Sequence, residues 1–128
     1  MTTPFWCLLV VALLPFVWSS FAIYYRRQQL GTIDNKYPRA QQAALEGIGA
    51  RAVGAHQNSW EALALFSAGV LVSHAAGAPA GTAATLSLVF VAARVLHGIF
   101  YLANLDALRS LIFFVGLGCV IGLFVISS

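Results

Sequence analysis

Arg51, His56, Asn58 and Glu61 fall within one stretch, Arg51-Ala-Val-Gly-Ala-His-Gln-Asn-Ser-Trp-Glu61, which runs on into Ala-Leu-Ala-Leu-Phe66. Arg51, Asn58 and Glu61 are spaced i, i+7 and i+10 and so share one face of a helix. Each ionisable group at the centre of a membrane helix costs about 2.5–3.5 kcal/mol on insertion scales, so a polar stripe there faces a protein interior and has work to do. A second constellation follows in Arg94-Val-Leu-His-Gly-Ile-Phe-Tyr101, where Arg94, His97 and Tyr101 stand at i, i+3 and i+7. Arg109 lies eight residues beyond Tyr101, past a short turn. Cations, one carboxylate, one amide and one phenol suit a small charged or zwitterionic ligand. They do not form the paired carboxylates of a glycosidase or a Ser-His-Asp triad.

The elements that carry these groups are apolar. Of the 128 residues, 60% are hydrophobic and 9% charged, with a mean hydropathy of +0.85. A soluble domain carries about 25% charged residues, so the composition is that of an integral membrane protein, and 1–128 is read as a single domain. Four hydrophobic segments are expected, at roughly 4–26, 41–76, 81–103 and 107–126. The second, about 35 residues entered at Pro38, is long enough at 1.5 Å per residue to project beyond the bilayer. Gly77 and Pro79 end it, and Gln28 to Arg39 reads as a connecting loop from Gly31, Asp34-Asn35 and Pro38. The connection at Asn104-Leu-Asp106 is so short that the last two helices must be antiparallel neighbours. Phe5 to Ile23 has no basic leader and no small-residue cleavage site, and is read as a retained first span. Cys7 and Cys119 sit inside apolar runs and are expected to be inert core thiols, with no metal-ligand spacing in the chain.

The net charge of +3, with a pI near 9.2, is too small and localised for nucleic-acid binding, and no nucleic-acid motif accompanies it. Arg26, Arg27, Lys36 and Arg39 flank or occupy the first loop and Arg109 adjoins the third, whereas the N-terminus, the second loop and Ile126-Ser-Ser128 hold no Lys or Arg. The positive-inside rule therefore puts loops one and three in the cytoplasm and both termini outside. Trp6, Trp18, Tyr24 and Tyr25 are read as interfacial aromatics.

Two motifs carry a resemblance to a known family. One is Arg-x-x-x-Ala-His-x-Asn-x-x-Glu, here Arg51, Ala55, His56, Asn58 and Glu61. The other is Ala-Arg-x-x-His-x-x-x-Tyr leading to Arg-Ser, here Arg94, His97, Tyr101, Arg109 and Ser110, followed by Phe113-Phe114-Val-Gly116. In both, over nearly the whole chain, the sequence resembles the MAPEG family, the membrane-associated proteins of eicosanoid and glutathione metabolism. The resemblance implies an all-α, left-handed four-helix transmembrane bundle assembled as a homotrimer, with glutathione bound as cosubstrate at each subunit interface near the cytoplasmic side. It implies that Asn58 and Glu61 hold the glutathione backbone, with Arg51, His56, Arg94, His97 and Tyr101 contributing and Arg26 or Arg27 reaching in from the first helix. It further implies that Arg109, with Tyr101 beside it, stabilises the glutathione thiolate. A thiol of pKa about 8.5 is mostly protonated at neutral pH, and an adjacent guanidinium lowers that value. The thiolate then attacks a lipophilic electrophile or reduces a hydroperoxide delivered from the bilayer, here a bacterial inner membrane.

The sequence departs from that pattern at Gly54, where the glutathione-binding relatives usually carry an arginine that reaches a carboxylate of the tripeptide. Lys36, Arg39 or Arg51 is the expected substitute. The alternative is a non-catalytic structural or accessory membrane protein that has lost or changed its ligand. Several residues also have plainer readings. Arg94 pairs with Glu61 inside the bundle; Asn58 is interhelical glue; Arg109 snorkels to the headgroups; Arg26 and Arg27 only set topology. A transporter or channel needs a continuous polar path, and the first and last helices supply almost no polar residues at mid-membrane.

Overall fold

An unbroken apolar run with Pro4 in its first turn forms α1 (Thr3–Leu30), which ends where Gly31 turns left-handed (φ 74°) and donates its N–H to the Arg27 carbonyl at 3.1 Å. The computed structural model describes residues 1–128, and it is all-helical. Next come α2 (Pro38–Ala43), α3 (Gly47–Ala75), α4 (Ala80–Leu102) and α5 (Asp106–Val125). α1, α4 and α5 are long and apolar enough to cross a membrane. α3, with 29 residues against 28 in α1, is the longest helix but carries the polar stripe.

The structure corrects three expectations. The first helix continues through Leu30 rather than ending at 26, so Arg26 and Arg27 lie within it. The segment 41–76 is not one helix. It breaks after Ala43 and restarts at Gly47, whose left-handed φ of 54° the following helix tolerates because no Cβ is present. The break is held from α1: the Gln29 amide donates through Nε2 to the Glu46 carbonyl and accepts the Glu46 N–H at Oε1, both at 3.0 Å. Buried Leu45 anchors it against Ala22, Ala52 and Val53. Trp18, finally, is not an interfacial aromatic. It is 5% exposed, lies across Gly98 of α4 where any Cβ would collide with the indole, and leaves its buried Nε1–H without an acceptor. Trp6 and Tyr24 do face outward.

α1 packs chiefly on α3, and α4 on α5; α3 and α4 also touch each other, α3 meets α5, and α1 meets α4. α3 and α4 therefore occupy the middle, with α1 and α5 on opposite flanks. The apolar core, including Cys7 and Cys119, gathers around Phe66 and Phe90, whose rings stack at 4.2 Å with 6° between planes. Ser59, Ser73 and Ser87 are buried there without cost of an unmade bond, each hydroxyl donating to a carbonyl of its own helix at 2.8–3.0 Å. The turn between α4 and α5 is three residues long, with Asn104 left-handed at φ 59°, so the two helices are antiparallel neighbours as their spacing requires.

Candidate functional site

Helical spacing places the two polar constellations face to face, Asn58 and Glu61 on α3 against Arg94 and His97 on α4. The Asn58 amide joins them: its Nδ2 donates to Glu61 Oε2 at 3.1 Å, and its Oδ1 accepts from Arg94 Nη2 at 2.7 Å. Arg94 and Glu61 are thus linked through an amide between them. Arg94 is buried (4% exposed), and its Nη2 also reaches His97 Nδ1 at 3.4 Å. A guanidinium has no acceptor, so Nδ1 is the unprotonated nitrogen and the neutral His97 carries its proton on Nε2. Glu61 lies near the midpoint of α3 and is exposed on the single chain. A carboxylate there has Asn58 on one side and an open face on the other.

Toward the α4–α5 turn the groove widens into a cavity of about 320 Å³ lined by Asn58, His97, Tyr101, Arg109, Ser110, Phe113 and Phe114. Arg109, in the first turn of α5, lies over the Tyr101 ring with its guanidinium carbon 4.4 Å from the centroid. His97 meets Tyr101 edge-on at 5.7 Å. On the other side of Asn58 and Phe113 is a smaller space of about 100 Å³, walled by Ala62, Leu65, Phe90, Leu117 and Val120 beneath Arg94 and Glu61. The two spaces share Asn58 and Phe113, so a charged compartment adjoins an apolar one.

The remaining expected site residues lie elsewhere. Arg51 Nε donates to the Leu102 carbonyl at 3.2 Å, closing the C-terminal end of α4 where the last carbonyls lack helical partners. His56 turns toward α1: the Pro15 carbonyl accepts its Nδ1–H at 2.8 Å, and its ring lies edge-on to Trp60 at 6.3 Å. Arg26 is 4% exposed and donates from Nε to Gln41 Oε1 at 2.9 Å and from Nη2 to the Asp34 carbonyl at 3.0 Å. Gln41 Oε1 also accepts the Asp34 N–H, and Gln41 Nε2 donates to Thr32 O, so Arg26 organises the loop. Arg27 is exposed on α1. The structure therefore gathers Asn58, Glu61, Arg94, His97, Tyr101 and Arg109, and leaves Arg26, Arg27, Arg51 and His56 outside the groove.

Phe113 and Phe114 were motif residues in the sequence with no assigned role, and they form the apolar wall of the charged cavity. The i, i+4 spacing of Arg109 and Phe113 is the signal that puts them on one face. Gln41 had no signal, because its role depends on how the loop folds back on α1. Gly54 is explained by geometry: a Cβ there would come within 2.6 Å of the Tyr101 Cζ and closer still to the phenol oxygen. The phenol fills the space a side chain would need.

The family model of the MAPEG family matches residues 3–128. The chain belongs to the MAPEG family. It is a membrane protein of a family tied to glutathione and eicosanoid metabolism. No curated protein and no solved structure matches the chain. The fold brings Asn58 and Glu61 of the first motif to a common groove with Arg94, His97, Tyr101 and Arg109 of the second.

Proposed function

We propose that this MAPEG protein is a membrane glutathione transferase or peroxidase, acting on lipophilic substrates with a glutathione thiolate. The observation that carries the reading is the groove in which Glu61, Asn58 and Arg109 offer an anion, an amide and a cation beside an apolar compartment. Glutathione is a zwitterion with amide groups, and the groove offers each kind of partner. Arg109 lies in the cavity wall and is held against Tyr101 rather than against a carboxylate, so its positive charge remains available to a thiolate. The thiolate lone pair forms a bond to the electrophilic carbon, and the leaving group departs with its electron pair. With a hydroperoxide, the thiolate sulfur bonds to the terminal oxygen as the O–O bond breaks, and the alkoxide leaves to be protonated to the alcohol. A second glutathione thiol then displaces the hydroxyl of the sulfenic acid, giving glutathione disulfide and water.

On this reading the four long helices all span the membrane as a bundle, and three copies assemble. The exposed position of Glu61 near the middle of α3 supports assembly, since a carboxylate against lipid is costly and a second subunit covers it. The clustering of Arg26, Arg27, Lys36, Arg39, Arg51 and Arg109 toward one end supports a cytoplasmic site with both termini outside. A bacterial inner membrane is the proposed location.

The test is glutathione-dependent conjugation of a lipophilic electrophile by purified protein, followed as a function of pH. Arg109→Ala is expected to lower the rate at neutral pH and to move the alkaline rise of the profile upward by about one pH unit, as loss of one neighbouring cation does. Wild-type protein without conjugating or peroxidase activity, or an Arg109→Ala profile superimposable on wild type, would count against the proposal.

One observation favours a second reading, a structural or accessory subunit without catalysis: the Tyr101 phenol fills the position beside Gly54. Thermal stability in detergent under glutathione titration separates the two. A saturable shift lost in both Asn58→Ala and Glu61→Ala supports the enzyme, and a flat response supports the structural subunit.

A further inference from the structure

Six arginines occupy this chain, and their guanidinium groups are treated differently. Arg26, Arg51 and Arg94 donate to oxygen acceptors of the chain. Arg109 instead lies face-on to Tyr101, 4.4 Å from the ring centroid, in the wall of the 320 Å³ cavity. An arginine side chain in the first turn of a helix has many rotamers, and a flat ring beneath it narrows that choice. What holds the ring is on a third helix. Tyr101 leans across α3 at Gly54, where its hydroxyl and Cζ occupy the volume that a Cβ would fill. Alanine is the smallest residue that would add that atom.

We infer that Gly54 is a positioning residue for the cavity: its missing side chain seats Tyr101 on the α3 backbone, and the seated ring holds the Arg109 guanidinium at the cavity wall. Three helices thereby fix one cation, with no carboxylate spent on it. A carboxylate in Tyr101's place would hold Arg109 more firmly but would neutralise it. The aromatic face orients the cation and leaves its charge and N–H edges to a ligand. The inference deepens the proposed thiolate role of Arg109 but stands on the geometry of the chain alone.

The test reads Arg109 directly and without ligand. Full-length protein in detergent is modified with phenylglyoxal, and the rate at Arg109 is followed by peptide mass spectrometry in wild type, Gly54→Ala, Tyr101→Leu and the double variant. Freed from its ring, Arg109 is expected to react about 2- to 5-fold faster in either single variant, the factor set by one partly exposed cation–π contact. The double variant is expected to react no faster than Tyr101→Leu, because the seat has nothing left to hold. A wild-type rate in Gly54→Ala, or a double variant whose acceleration is the product of the two singles, overturns the inference. Should Gly54→Ala fail to fold, recovery of folding in the double variant upholds the seat, and its failure there while Tyr101→Leu folds overturns it. Added glutathione separates this from the functional proposal: wild-type Arg109 that glutathione does not protect counts against the thiolate role and leaves the seat intact.

Discussion

Arg26 and Arg109 are both guanidinium groups at the same end of the molecule, yet their surroundings differ in kind. Arg26 is buried, and two of its N–H groups are taken up by the Gln41 side chain and the Asp34 carbonyl. Arg109 is half-buried against an aromatic ring at the edge of a cavity. A cation whose donors are satisfied by the chain builds structure, whereas one that is oriented but not satisfied is available to a ligand. The sequence shows seven Lys and Arg residues and no such distinction among them.

The comparison breaks or sharpens through four substitutions. Arg26→Ala is expected to have the largest effect on stability. It removes two charge-assisted hydrogen bonds between α1 and the loop it organises, a loss of about 3 kcal/mol, read as a lower unfolding midpoint in detergent. Conjugation by the molecules that remain folded should be unchanged; a selective loss of activity at full stability would put Arg26 in the site after all. Asn58→Ala should cost about 2 kcal/mol, since it strips buried Arg94 of its 2.7 Å acceptor and separates it from Glu61. Unaltered thermal stability in that variant would mean that the amide bridge holds nothing. Arg109→Ala should show the converse pattern to Arg26→Ala. Its kcat/KM for conjugation should fall at least about tenfold, or 1.4 kcal/mol, with little change in stability. The smallest effect, about 1 kcal/mol, is expected for Gln29→Ala, which unties the break between α2 and α3. Limited proteolysis near residues 44–48 should then quicken, and an unchanged digestion pattern would show that buried Leu45 alone holds the break.

Legibility in the sequence followed the range of the interaction. Asn58 with Glu61, and Arg94 with His97 and Tyr101, could be placed on common faces because helical periodicity is local. The turns at Gly31, Gly77 and Asn104 were readable for the same reason. The break before Gly47 was missed because propensity favours helix through Ala43-Ala-Leu45, and what stops it is an amide on a different helix, Gln29. Trp18 was misplaced for a related reason. An aromatic in an apolar span reads as interfacial until Gly98 of α4 is seen to make room for its ring.

By itself, then, the sequence determined a helical membrane protein of the MAPEG family and named the polar groups it must shelter. Hydropathy, helical spacing and two ordered motifs are properties of the chain read along its length. Only the tertiary structure decided which of those groups meet. Arg26, Arg51 and His56 went to loop, helix end and neighbouring helix, while Arg109 was laid on Tyr101 above Gly54. The physical reason is that a guanidinium or an imidazole takes whichever acceptor folding brings within about 3 Å, and partners tens of residues away are chosen by helix packing rather than by spacing along the chain.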